Sequence, residues 1–216
     1  VGDEGGEGHA VYRPDQDHSS VARLTLIGDL RDAVPDGQLV LHYQPVLDLA
    51  RGVIARTEAL VRWQHPEHGL LPPDAFIGLA AVSGATHSIA RWVLHEATRA
   101  AAAWKAAGHD VGVAVNLSVR NLFDRDLLAE VERALALSGL RPGDLVLELT
   151  ESELLDDPSV ALSPVRAFQE IGVGTSVDDF GTGYSSLTYL RDLPLTELKI
   201  DRSFIRDLHL RGGAYT

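Results

Sequence analysis

The segment Thr175-Ser176-Val177-Asp178-Asp179-Phe180 decides which fold the sequence predicts. Its β-branched and aromatic residues predict a buried strand, yet two adjacent carboxylates stand near its C-terminal end. An ionised carboxylate within an apolar strand is costly to bury unless a metal ion, a cation or several donors compensate its charge. The segment therefore predicts a strand that ends in a functional site.

Other predicted strands end in the same way. Five further apolar runs predict strands at 40–46, 53–63, 111–118, 145–152 and 197–204. Polar residues stand late in most of them: Glu58, Asn116, Glu148, Glu151, Lys199 and Asp201. Only about six residues join the first two strands, which favours an antiparallel hairpin.

Helical patterns alternate with these strands and predict an α/β fold. Apolar spacing predicts helices at about 21–35, 88–107, 126–137, 158–171 and 185–193. Strands that alternate with helices form a parallel sheet with the helices outside. The Gly-rich, polar residues 1–20 are interpreted as a linker or the tail of a preceding domain, and residues 21–216 as one domain.

Both an open doubly wound sheet and a (β/α)8 barrel fit this alternation. An open sheet concentrates its site at one switch point, whereas a barrel spreads site residues over the C-terminal ends of many strands. The spread observed here favours a TIM-like barrel. A complete barrel needs about 250 residues and eight strands, so we expect the last two strands to be missing from these 216 residues.

Composition excludes several classes of protein. The formal net charge of −12 argues against a surface that binds a nucleic-acid polymer. The chain has no cysteine, which excludes disulfides and thiolate metal sites. No run of about 18 apolar residues occurs, so we expect no membrane contact from this segment and a cytoplasmic location, although a parent protein could be membrane-anchored.

The polar residues at the strand ends indicate metal chemistry. Carboxylates and an amide without Cys or His form a hard oxygen-ligand set, which suits Mg²⁺ or Mn²⁺ better than zinc. Such a set can hold two ions about 3.5–4 Å apart, the arrangement used for phosphodiester hydrolysis. Lys199 and Arg62 could meet phosphate charge. For any single acid, a helix cap or a surface ion pair remains the alternative.

Two other motifs have weaker interpretations. His65-Pro66-Glu67-His68 carries two histidines three residues apart in a Pro-containing turn, and a loop is favoured over a metal site. The glycine-rich segment 181–186 lacks the signature of a P-loop and of a dinucleotide fingerprint, so it is interpreted as a turn that could hold a ligand.

The order of short motifs resembles that of EAL domains, a bacterial signalling family. The matching segments are Tyr43-Gln44-Pro45, Glu58-Ala59-Leu60-Val61-Arg62-Trp63, His65-Pro66, Val115-Asn116-Leu117-Ser118, Leu147-Glu148-Leu149-Thr150-Glu151, Asp178-Asp179-Phe180-Gly181-Thr182-Gly183-Tyr184-Ser185-Ser186 and Leu198-Lys199-Ile200-Asp201. Together they cover about residues 38–207. Residues 10–20 also resemble the tail of a GGDEF domain.

The resemblance implies a (β/α)8-like barrel with one antiparallel strand that hydrolyses cyclic di-GMP to linear pGpG with two Mg²⁺ or Mn²⁺ ions. It implies metal ligands at Glu58, Asn116, Glu148, Asp178 and Asp179. Lys199 would position or help activate the attacking water, and Gln44 and Arg62 would contact the substrate. Glu151 would hold the loop 181–186, and Asp201 would support the site.

The resemblance also implies partners: a second copy of the domain, and an upstream GGDEF or sensor domain in the parent protein. The family continues beyond Asp207 with two more strands that this sequence lacks, which leaves three hypotheses open. The chain is a phosphodiesterase, a module that binds cyclic di-GMP or a protein partner without cleavage, or a structural fragment without a ligand.

Overall fold

The computed structural model describes residues 14–151, 154, 158–181 and 193–206. The helices described are α1 (Pro14–Asp32), α2 (Pro73–Ser83), α3 (Thr86–Ala106), α4 (Val119–Leu122), α5 (Leu127–Ser138), α6 (Pro158–Glu170) and α7 (Arg202–Arg206). The strands are β1 (Leu39–Asp48), β2 (Val53–His65), β3 (Gly69–Leu71), β4 (Gly112–Asn116), β5 (Leu145–Thr150), β6 (Gly174–Phe180) and β7 (Glu197–Ile200). A 3₁₀ turn at Pro142–Asp144 precedes β5.

The strands form one sheet in the order β1-β2-β4-β5-β6-β7, with β3 paired to β2. From β2 to β7 each neighbouring pair is parallel, whereas β1 and β3 run antiparallel to β2. The predicted α/β fold with a mostly parallel sheet and an initial hairpin is therefore confirmed. Within the described part of the chain the sheet stays open between β1 and β7.

The core lies between the sheet and its helices. Trp63 on β2 is fully buried, packs edge-on to Phe76 of α2 with ring centroids 5.7 Å apart, and donates from Nε1 to Gln38 Oε1 at 2.9 Å. Helix α3 contributes Ile89 and Val93 to the same core. Because strand side chains alternate, the neighbours of Trp63 on β2 point to the opposite face of the sheet, away from α2 and α3. We call this face the inner face.

Several predicted boundaries differ from the structure. Helix α1 begins at Pro14, not at residue 21, so its first turns occupy part of the predicted linker. The last predicted strand ends at Ile200, because Asp201 caps α7, and the strand predicted at 145–152 ends at Thr150. The predicted helix 185–193 falls almost wholly outside the described residues.

Five of the described elements were not predicted from the sequence: α2, β3, α4, α7 and the 3₁₀ turn at Pro142–Asp144. Helix α2 follows Pro72-Pro73 with little apolar periodicity, and β3 and α4 are too short to give a periodic signal. Helix α5 ends at Gly139 in the left-handed conformation, as its predicted stop requires. The described helices are all too short or too polar to traverse a lipid bilayer.

Candidate metal and active site

The pairing of the strands places four of the five predicted metal ligands, all but Asp179, on one face of the sheet. Asn116 lies opposite Glu148 in the β4–β5 register. Glu58 lies opposite Ala114, two residues before Asn116, and Asp178 lies opposite the residue two positions beyond Glu148. Since strand side chains two residues apart share a face, all four functional side chains project to the same side.

Lys199 on β7 lies at the centre of these side chains. Its Nζ donates to Glu58 Oε2 at 3.0 Å, Glu148 Oε2 at 2.8 Å and Asp178 Oδ2 at 2.6 Å. Three strands separate β2 from β7, a path of about 19 Å along a flat sheet. Contact between Lys199 and Glu58 therefore requires the sheet to curve into a trough, which is the curvature of a barrel wall.

The three carboxylates form a tight cluster, which we call the acidic cluster: Glu58, Glu148 and Asp178. One oxygen from each lies within 4.8 Å of the others. Burial raises the pKa of Glu148 to about 7, against the opposing hydrogen bond and charge of Lys199. For Lys199, burial lowers the pKa, but the bonds to Asp178 and Glu148 outweigh it and the pKa lies above its usual range.

Asn116 and Asp179 complete the surroundings of the acidic cluster. Asn116 Nδ2 donates to Glu58 Oε1 at 2.8 Å and so orients that carboxylate. Asp179 adopts a left-handed backbone with φ of 55°, and its amide donates to Asp178 Oδ1 at 2.8 Å. Burial, followed by the charges of Asp178 and Asp201, raises the pKa of the Asp179 carboxyl.

The acidic cluster fits a hard divalent ion. Three carboxylate oxygens from different strands already lie close enough to share one cation, and an ammonium group satisfies them in the structure described here. Carboxylate oxygens are the ligands that Mg²⁺ and Mn²⁺ prefer. A cation between these like charges also offsets the free-energy cost of burying the charge of Glu148, which is only 4% exposed.

The residues predicted to contact substrate lie on the same face. Gln44 is the cross-strand partner of Glu58, and Arg62 follows Glu58 by four residues on β2. The Arg62 guanidinium donates to the carbonyl oxygen of Val61 at 2.8 Å. Both side chains therefore lie on the face of the sheet that carries the acidic cluster, Gln44 directly across from Glu58 and Arg62 further along β2.

Glu151 and Asp201 have supporting positions. Glu151 is 1% exposed and accepts a hydrogen bond from the Gly181 amide through Oε2, while its buried Oε1 has no hydrogen-bond partner among the residues that the structure describes. Asp201 accepts the Ser203 amide at 2.9 Å and caps α7. The glycine-rich segment beyond Gly181 falls outside the described residues.

The turn with two histidines is structural. Nδ1 of His65 accepts the amides of Glu67 and His68, and its Nε2 lies 3.3 Å from Asp29 Oδ2 in α1. An imidazole that accepts at Nδ1 carries its proton at Nε2 and donates to Asp29. The favoured interpretation of this motif as a loop agrees with these contacts.

Two features near the site were not predicted from the sequence. A cavity of about 430 Å³ opens beside Asn116, lined by Leu60, Ile77 and Ile89, and it depends on the unpredicted helix α2. Arg56 and Glu197 form an ion pair on the inner face of the sheet. The sequence did contain a signal for this pair. Arg56 stands two residues before Glu58 and Glu197 two residues before Lys199, so each shares a strand face with a predicted site residue.

Comparison with known proteins places this geometry in a family. The family model described as "EAL domain" matches residues 27–215. The chain belongs to the EAL domain family. It is 44% identical over 207 residues to the Pseudomonas aeruginosa bifunctional diguanylate cyclase/cyclic di-GMP phosphodiesterase MucR, covering 95% of this chain and 30% of that protein.

Further relatives agree with this assignment. The Escherichia coli cyclic di-GMP phosphodiesterase PdeR is 40% identical over 207 residues, covering 95% of this chain and 31% of PdeR. The EAL chain thus spans about a third of the length of these curated relatives. The predicted family, whose curated relatives are named as cyclic di-GMP phosphodiesterases, is confirmed.

Solved structures support the fold. The PaMucR phosphodiesterase in complex with c-di-GMP has a TM-score of 0.80 and 46% identity, covering 86% of this chain and 75% of that chain. The EAL domain of Xanthomonas citri FimX in complex with c-diGMP has a TM-score of 0.79 and 25% identity, covering 88% and 74%. The predicted EAL-type barrel fold is confirmed.

Proposed function

We propose that this EAL domain hydrolyses cyclic di-GMP to linear pGpG with divalent metal ions. The observation that carries the proposal is the acidic cluster, in which three carboxylates from β2, β5 and β6 meet within 4.8 Å. The names of MucR and PdeR, and the c-di-GMP complex of the MucR domain, indicate the substrate.

The metal ligands proposed are Glu58, Asn116, Glu148 and Asp178, with Asp179 at a second ion. Bound Mg²⁺ or Mn²⁺ would supply Lewis-acid activation of the scissile phosphate and of water. Oxygen ligands of this kind bind a metal in their ionised form, so binding favours loss of the proton that burial retains on Glu148.

The other residues of the chain have distinct proposed tasks. Lys199 holds the acidic cluster together through three hydrogen bonds and would position the attacking water near it. Gln44 and Arg62, on the same face, would contact the substrate. Glu151 fixes the backbone after β6 by accepting the Gly181 amide, and Asp201 caps the helix that follows β7.

The test is chromatographic detection of pGpG after incubation of the chain with cyclic di-GMP and Mg²⁺. Asp178→Asn is expected to lower turnover by at least about 100-fold, the scale on which loss of a preorganised charge acts. Asp110→Asn, at an exposed acid of an ion-pair network away from the cluster, is the matched control and is expected to retain turnover. Full activity in Asp178→Asn would contradict the metal assignment.

The same assay distinguishes hydrolysis from the alternative, a module that binds cyclic di-GMP or a protein partner without cleavage. Binding measured with Ca²⁺ in place of Mg²⁺, together with no pGpG under Mg²⁺, would support that alternative. We also propose a homodimer through the EAL domain and an upstream GGDEF or sensor domain in the parent protein. Sedimentation of the chain tests the dimer.

A further inference from the structure

Two ion pairs cross the curved inner face of the sheet from β2 to β7. Arg56 pairs with Glu197, and Glu58 pairs with Lys199. These strands share no backbone hydrogen bonds, because β4, β5 and β6 lie between them. The position of β7 relative to β2 is therefore set by side chains as well as by the intervening strands.

The two pairs have opposite polarity. On β2 a cation at position 56 precedes an anion at position 58, and on β7 an anion at 197 precedes a cation at 199. Residues two apart on a strand share a face, so each strand presents a matched pair of charges to the other. A shift of β7 by two residues relative to β2 would bring Glu197 towards Glu58, and these two like charges would repel each other.

The β6–β7 ladder leaves room for such a shift. Its register is regular from Ser176 to Val177 and then irregular before Phe180. Lys199 lies within this irregular stretch, so the backbone ladder alone defines its position poorly. The Arg56 side chain is 17% exposed and that of Glu197 is 38% exposed, so water screens their attraction less than that of a pair on the open surface, but does not remove the screening.

We propose that Arg56 and Glu197 are a positioning pair that fixes β7 so that the Lys199 ammonium meets the acidic cluster. The inference rests on the proposed function, because Lys199 serves there in hydrolysis. Neither residue contacts the acidic cluster in the ion pairs described; both act through Lys199, two residues from Glu197. Misplacement of a catalytic group by about 1 Å can cost up to 100-fold in rate.

The first experiment measures steady-state hydrolysis by the full chain and its variants. Glu197→Gln and Arg56→Gln are each expected to lower kcat by about tenfold and to leave KM within about twofold. Asp144→Asn is the matched control, because Asp144 pairs with Lys105 and Arg141 and lines a pocket that Arg56 and Glu197 also line. The control is expected to lose stability but keep its kcat.

Exchange of the two charges separates positioning from general stability. The double variant Arg56→Glu with Glu197→Arg restores an ion pair, but its new cation at position 197 would also attract Glu58 and no longer opposes a shift of β7, so it is expected to recover only part of the lost kcat. Arg56→Lys keeps the charge and is expected to retain more activity than Arg56→Gln. Wild-type kcat in Glu197→Gln, equal loss in Asp144→Asn, or equal loss in the two Arg56 variants would each overturn the proposal.

A second measurement reads the position of Lys199 without turnover. The sequence contains two lysines, Lys105 and Lys199, so trace acetylation followed by mass spectrometry compares them directly. Lys199 is expected to be protected by its three carboxylates and to react severalfold faster in Glu197→Gln, with Lys105 as the internal reference. An inactive wild-type chain with this protection pattern would contradict the proposed function alone, whereas unchanged labelling of Lys199 would contradict the positioning pair.

Discussion

Replacement of Lys199 by Met tests whether the ammonium serves as the internal cation of the acidic cluster. At an effective dielectric constant of about 20, two ionised carboxylates about 5 Å apart repel by about 3 kcal/mol. Removal of one partner of a buried ion pair costs about 3–5 kcal/mol. Because 30% of the Lys199 side chain is exposed, we expect Lys199→Met to lower the free energy of unfolding by about 2 kcal/mol when metal is chelated.

A divalent cation should reverse this loss. In Lys199→Met the metal replaces the missing positive charge, and a ligand at 100 times its dissociation constant stabilises a fold by about 2.7 kcal/mol. In the wild-type chain the ammonium already compensates the carboxylates, so the same cation adds less. Urea unfolding with chelator and with Mg²⁺, for both chains, measures the difference.

Lys105→Met is the matched control for this experiment. Lys105 also pairs with carboxylates, those of Asp110 and Asp144, but it lies away from the acidic cluster. Its replacement is expected to lower stability by an amount that Mg²⁺ does not restore. Equal stabilisation of wild type and Lys199→Met by Mg²⁺ would refute the reasoning.

Two further predictions concern single residues. Burial raises the pKa of Glu148 from 4.5 to about 7, so the folded state retains a proton that the unfolded chain releases. The Glu148 carboxyl should therefore contribute a decrease of about 3 kcal/mol to the free energy of unfolding without metal as pH rises from about 4.5 to 7. Glu148→Gln should lack this contribution; urea titrations of both chains at several pH values check it, and an equal pH dependence of the two chains contradicts it. Gly181 has φ of +99°, and a Cβ there would lie 2.5 Å from the ring of Phe204, so Gly181→Ala should destabilise the fold by about 2 kcal/mol. Gly78→Ala, in open space on α2, should instead stabilise the fold by about 0.5 kcal/mol or more. Thermal unfolding of both variants measures the two effects, and similar effects would argue against the clash at Gly181 with Phe204.

Strong local patterns allowed the sequence to predict much of the fold. Alternating strands and helices indicated the parallel sheet, and the short link before residue 53 indicated the β1–β2 hairpin. The start of α1 was wrong, because the Gly-rich composition of the first residues concealed a helix that begins at Pro14. The last strand was overextended, since Ile200 and Phe204 continue its apolar character although Asp201 starts a helix.

The candidate site was predicted as a set of residues but not as an arrangement. Polar residues near the ends of buried strands predicted the members of the acidic cluster and Lys199 from the sequence alone. No sequence pattern indicated that one ammonium would contact three carboxylates, or that Glu151 would accept the Gly181 amide. Those contacts depend on distances between strands that are remote along the chain.

The sequence by itself determined which side chains share a face, because alternation along a strand is a local property of the backbone. It also determined which chemical groups the candidate site contains, since the carboxylates and the lysine belong to the residues themselves. Only the tertiary structure decided that β7 curves back to β2, so that Arg56 meets Glu197 and Glu58 meets Lys199. Curvature depends on the twist and packing of the whole sheet, which no single segment encodes.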